Sequence, residues 1–162
     1  MTPGAALHIA EADPAGPDAA ALIATLDADL EARYPGLTIH GIDAAGFRDA
    51  GGIFLIGRLE GVPVACGAIR PVGTSVAEVK RMFVAPACRG RGFSRLMLKA
   101  LERIAADRGY ATLRLETGVN QPEAIALYQS AGYRPIPCYG EYSTDPRSRC
   151  FEKSLADPGG QR

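Results

Sequence analysis

The sequence predicts an α+β domain built around one mixed β-sheet. Three observations carry that expectation. Three apolar runs rich in β-branched residues succeed one another between Ile53 and Val84, helix and strand patterns then alternate as far as Leu155, and 162 residues with 47% apolar content suffice for one packed core. The chain is accordingly read as a single domain over residues 1–156 with a frayed tail at 157–162.

Leu22, Ile23, Leu26, Leu30 and Tyr34 recur at helical spacing from Asp18 to Tyr34, and Pro35-Gly36 stops that helix. Residues Leu37 to Gly52, weakly periodic and rich in glycine, are expected to form a loop with one short helix bordering a substrate site. Ile53–Leu59 and Val62–Ile69 make a hairpin, because Glu60-Gly61 supplies the turn. The third run, Val76 to Val84, ends at Ala85-Pro86. Phe93, Leu96, Met97, Ala100, Leu101 and Ile104 then mark the apolar face of a helix that Arg108-Gly109 terminates. A strand at Thr112–Glu116, a helix at Pro122–Ala131 closed by Gly132, a strand at Tyr133–Pro137 and a last strand near Arg149–Leu155 complete the order.

Eighteen basic and eighteen acidic residues cancel, so no global field draws the chain to nucleic acid or anionic lipid. No apolar run is long enough to span a bilayer, and Met1 to Ala10 lacks the form of a signal peptide. Cys66, Cys88, Cys138 and Cys150 show neither C-x-x-C spacing nor neighbouring histidines, which argues against a metal site and against a disulfide framework. A cytoplasmic protein with reduced thiols is expected. His8 and His40 are read as surface or structural residues, and Cys88 as a small packing residue.

Between Val84 and Arg95 a strand ends and a helix begins across a loop holding Gly90 and Gly92, with Arg89, Arg91 and Arg95 around it. Glycines let backbone approach a ligand, and the first amides of a helix lack internal partners, so a pyrophosphate is a candidate ligand. Alone, the loop is equally a glycine turn flanked by solvated arginines. The Walker sequence is absent, and a dinucleotide fingerprint would need glycine where Arg95 stands.

Val84-x-Pro86 followed by Arg89-x-x-Gly92-x-Ser94 resembles the acetyl-CoA motif of the GNAT superfamily, with Ser94 in place of its last small residue. Further on, Gln121-Pro-Glu-Ala124-Ile-Ala-Leu127-Tyr128, then Gly132-Tyr133, is similar to that family's second signature, with Gln121 where asparagine is usual. The resemblance covers Ile53 to Leu155 and implies an acyl-CoA N-acyltransferase fold, acetyl-CoA as co-substrate, no metal and an amine acceptor. It implies that amides of Arg89, Gly90, Arg91, Gly92, Phe93 and Ser94 cradle the pyrophosphate, that the backbone of Met82, Phe83 and Val84 pairs with pantetheine, and that Gln121 and Tyr128 complete the cofactor site. The pantetheine gap is placed between Arg81–Val84 and Leu113–Thr117.

Acetyl transfer needs a neutral amine, a stabilised oxyanion and a proton for the departing thiolate. The resemblance makes Tyr128 the acid, although its helical spacing also fits a core residue. Glu78 is the leading base, directly or through water; Glu116 is its competitor or the group that holds the acceptor's ammonium, and a surface ion pair is open to both. Tyr139 and Tyr142 either wall the acceptor pocket or seal the sheet edge. A small-molecule amine or an amino acid is the expected acceptor, ahead of a protein lysine or N-terminus, with a non-catalytic CoA sensor as the reading from another class. The family resemblance also allows a homodimer.

Overall fold

The computed structural model describes residues 4–36 and 43–155. His40 and the tail at 157–162 lie outside them. The strands are β1 (His8–Glu11), β2 (Ile53–Leu59), β3 (Val62–Pro71), β4 (Val76–Val84), β5 (Thr112–Gly118), β6 (Arg134–Ile136) and β7 (Ser148–Ser154). The helices are α1 (Pro17–Arg33), α2 (Ala44–Asp49), α3 (Phe93–Asp107) and α4 (Pro122–Ser130).

One seven-stranded sheet runs β1-β2-β3-β4-β5-β7-β6. Among the described residues only β4 and β5 pair in parallel, because α3 carries the chain over the sheet between them. The mixed α+β architecture predicted from sequence is thus observed, with one strand added. β1 was missed because His8-Ile-Ala-Glu11 offers four residues and no sustained alternation, and its pairing with Leu55–Arg58 is what orders it.

Alternation along β2 divides the interior in two. Ile53, Leu55 and Leu59 join Met97, Leu98 and Leu101 of α3 on one face. Phe54 and Ile56 meet Leu22 and Leu26 of α1 and Phe47 of α2 on the other. The β2–β3 hairpin turns at Glu60 and Gly61 with φ of 49° and 84°, a primed turn whose twist suits the strands.

Two features of β4 shape the site. The parallel ladder covers only Val76–Val79 with Thr112–Leu115, after which the facing edges diverge: β4 continues beside β3 to Val84, and β5 beside β7 to Gly118. The gap therefore opens beyond Val79 and Leu115. Leu113 to Leu115, which the sequence reading had placed along it, are paired.

A bulge follows at once. Cys66 pairs with Phe83 and Ala68 with Lys80, so Arg81 and Met82 together face Gly67. Arg81 adopts a φ of 59°, unusual for a residue with a side chain, and the Cys66 thiol donates to its carbonyl at 3.2 Å. A Cβ on Gly67 would sit 2.9 Å from Leu101 Cδ1 and 3.0 Å from Met82 Sδ, which explains a glycine in mid-strand.

Two of the four cysteines are bonded, contrary to the reduced thiols expected from their spacing. Cys138 and Cys150 form a disulfide with their Cα atoms 5.1 Å apart. Their separation of 12 residues hides a pairing that the β6–β7 register creates, since Ile136 lies opposite Cys150. Cys66 and Cys88 are free and buried, and Cys88 packs in the core as expected.

Candidate active site

Two cavities meet at the divergence of β4 and β5. Leu26, Met82, Gln121, Ala124 and Tyr128 line both. The first, about 230 Å³, runs under the loop before α3; the second, about 170 Å³, reaches toward α1 and the segment before β7.

The first cavity holds most of the residues expected at a cofactor. Gly90 and Gly92 take φ of 79° and 81°, and no side chain caps α3. Its first inward bond is Leu96 N–H to Gly92 O at 3.2 Å, so the amides of Phe93, Ser94 and Arg95 have no acceptor inside the helix. Those N–H groups, with the positive end of the helix dipole, suit a phosphate. Met82, Phe83, Val84, Arg89, Gly90, Gly92, Phe93, Ser94, Gln121 and Tyr128 all line this space. Arg91 does not; its guanidinium lies 4.9 Å from the centre of the Phe93 ring.

Arg89 is partly committed: its Nε donates to the Val84 carbonyl at 2.9 Å, and its guanidinium lies 3.8 Å from Asp29. Gln121 is held too. Its Oε1 accepts from Gly118 N–H and from the Tyr34 hydroxyl, both at 3.2 Å, so its amide nitrogen is the end left to meet a ligand.

Tyr128 stands where the cavities join. Only 6% of it is exposed, its ring packs edge-on to Tyr133 at 5.8 Å, and burial, with Glu116 nearby, pushes its phenol well above the ordinary tyrosine value. A phenol so placed keeps its proton until a stronger base forms beside it.

The two glutamates separate. Glu116 lines the second cavity and accepts from Ser148 Oγ at 2.7 Å. Glu78 lines neither cavity and is fully buried. Arg70 Nε reaches its Oε1 at 2.8 Å, and the Tyr139 hydroxyl donates to its Oε2 at 2.9 Å. That bond anchors the segment carrying Tyr142, whose buried ring lines the second cavity.

Sequence reasoning did not anticipate Tyr34, Lys80, Arg147 or Ser148 here, although all four line the second cavity. Tyr34 gave a signal only as the end of an apolar stripe. Its hydroxyl accepts from Asn120 N–H at 2.9 Å, a contact across 86 residues.

Comparison with known proteins identifies the family and the fold. The family model for "Acetyltransferase (GNAT) family" matches residues 21–133. An IAA acetyltransferase of Azospirillum brasilense is 39% identical over 135 residues, covering 83% of this chain and 88% of that protein. A solved structure from Klebsiella pneumoniae, assigned to the acyl-CoA N-acyltransferases, is 35% identical with a TM-score of 0.79, over 92% of this chain and 97% of that one. A GNAT family acetyltransferase from Elizabethkingia anophelis, solved with acetyl-CoA bound, shares the fold at 16% identity and a TM-score of 0.70, over 91% of this chain and 97% of the other. The chain therefore belongs to the GNAT family and is an N-acetyltransferase.

Proposed function

We propose that the enzyme transfers an acetyl group from acetyl-CoA directly to the primary amine of a small molecule. The observation that carries this reading is the junction of two cavities at Met82 and Tyr128, one beneath unpaired helix amides and the other containing a carboxylate. Backbone of Met82 to Val84, freed by the divergence of β4 and β5, pairs with the extended arm of the donor much as another strand would. The pyrophosphate rests on the amides from Gly92 to Arg95.

The acceptor enters as an ammonium and is held by Glu116, which takes one proton directly or through water. Its nitrogen forms a bond to the acetyl carbon as the carbon–sulfur bond breaks. The nitrogen sheds its second proton to solvent, Tyr128 protonates the thiolate, and one proton is released overall. In this scheme Glu78 is a positioning residue: held between Arg70 and Tyr139, it fixes the wall of the acceptor cavity.

A cavity of about 170 Å³ bounded by charged side chains favours a compact amine over a polypeptide segment. The test pairs calorimetric titration of CoA with a thiol-release assay on wild type and Gly92→Glu. A carboxylate at the helix N-terminus should weaken CoA binding by about 100-fold or more through repulsion of the pyrophosphate. Equal binding by both proteins overturns the assignment.

A further inference from the structure

The second cavity is lined by a cation, Lys80, whose hydrogen-bond partner is a neutral phenol. Lys80 is the first β4 residue beyond the parallel ladder, and its Nζ donates to the Tyr142 hydroxyl at 2.8 Å and lies 5.5 Å from the centre of that ring. Among the described residues no carboxylate lies within ion-pair distance of it. Burial holds its ammonium below the usual lysine value, as expected where desolvation outweighs the pull of Glu78 and Glu141. An ammonium has three donors, and the phenol accepts one.

The other cations lining the cavity differ. Arg147 grips Asp145 through Nε at 3.1 Å and Nη2 at 3.3 Å, so its charge is answered within its own loop. Arg81 reaches Asp27 of α1 through Nη1 at 2.8 Å. Its side chain is 8% exposed, and its Nε is the one buried side-chain nitrogen or oxygen among the described residues without a hydrogen-bond partner. The left-handed turn at Arg81 thus sets two consecutive cations against one cavity, neither fully satisfied.

A partly buried cation whose donors are incompletely satisfied is unfavourable, and a ligand that brings the opposite charge removes the deficit on binding. Glu116 lines the same space and suits the ammonium. We infer that the acceptor is an amino acid, its amine held at Glu116 and its carboxylate bound by Lys80 with the Arg81 guanidinium behind it. This rests on the acetyl-transfer reading above and adds the acceptor's second charge to it.

The experiment compares amines that differ only in the carboxylate: glycine with methylamine, alanine with ethylamine, phenylalanine with phenethylamine. Thiol release from acetyl-CoA is followed for wild type, Lys80→Met and Lys80→Arg. At least one amino acid should exceed its decarboxylated partner in kcat/KM by about 10- to 100-fold, the worth of a hydrogen bond to a charged group. Lys80→Met should collapse that ratio to about threefold or less through acceptor KM, with acetyl-CoA affinity unchanged by calorimetry, and Lys80→Arg should restore part of it. Equal rates within every pair, or a preference that survives Lys80→Met, overturns the inference while leaving acetyl transfer intact.

If no amine in either series releases CoA, the acetyl-transfer reading fails instead. Calorimetry on the CoA complex then decides the carboxylate site: binding of amino acids but not of amines, lost in Lys80→Met, supports it, and no binding of either class overturns it.

Discussion

At Gly118 a Cβ would lie 1.8 Å from the Tyr34 hydroxyl and 2.5 Å from its ring carbon, and such an approach requires the tyrosine to move. Tyr34 is not free to do so. Its hydroxyl joins Asn120 N–H to Gln121 Oε1, and the same Oε1 returns to Gly118 N–H, so four residues form one closed knot in the wall of the second cavity, with Gln121 reaching the first as well. Gly118→Ala should therefore cost about 1–3 kcal/mol in urea unfolding, as overpacking of a tight interior does. It should also weaken CoA binding, because Gln121 turns with its partner; an unchanged unfolding midpoint would show that the knot yields freely. Of its members only Gln121 was marked by the sequence. Tyr34 carries no local cue, because its value comes from a neighbour 86 residues away.

Among the elements, the segment from Cys138 to Cys150 leads from β6 into β7 and supplies Tyr142, Asp145, Arg147 and Ser148 to the second cavity, the proposed acceptor site. It is secured at its ends by the disulfide and near its start by the Tyr139–Glu78 bond. Closing a loop of this size removes about 3 kcal/mol of unfolded-chain freedom. Cys138→Ser should lower unfolding free energy by about 2–3 kcal/mol and raise acceptor KM, with CoA affinity preserved because the first cavity draws no residue from that segment. Parallel steady-state kinetics and calorimetry check both. Long elements were legible because their periodicity is local: α1, α3 and β2 to β4 lie within a residue or two of their expected ends. The register that joins two distant cysteines, and the bulge that bends a chain with no glycine at Arg81, arise from pairing between strands and leave no local pattern.

For the molecule as a whole, buried phenols and a buried thiol set the alkaline limit. Burial raises Tyr128, Tyr133, Tyr139 and Tyr142 above their ordinary value and pushes the Cys66 thiol up to about 12. Because the folded values lie above the unfolded ones, the unfolded chain releases these protons first. The stability they confer is complete below the unfolded values and is lost as pH climbs from there toward the folded ones. Urea unfolding should be flat in these groups at neutral pH, decline from about pH 9 as Cys66 enters, and steepen above about pH 10, by up to ~1.4 kcal/mol per pH unit for each phenol. Tyrosinate absorbance equivalent to three or more of the six phenols, rising well before unfolding, would refute it. The outer boundaries of the sheet are β1, four residues long, and β6, three residues with Pro135 at its centre. Such blunted margins offer poor templates to a passing extended chain. Among the described residues the parallel ladder stops at Val79 and Leu115, well inside the fan, so the thin thiol-bearing tether of the proposed donor would join this sheet from its middle and not at its blunted margins.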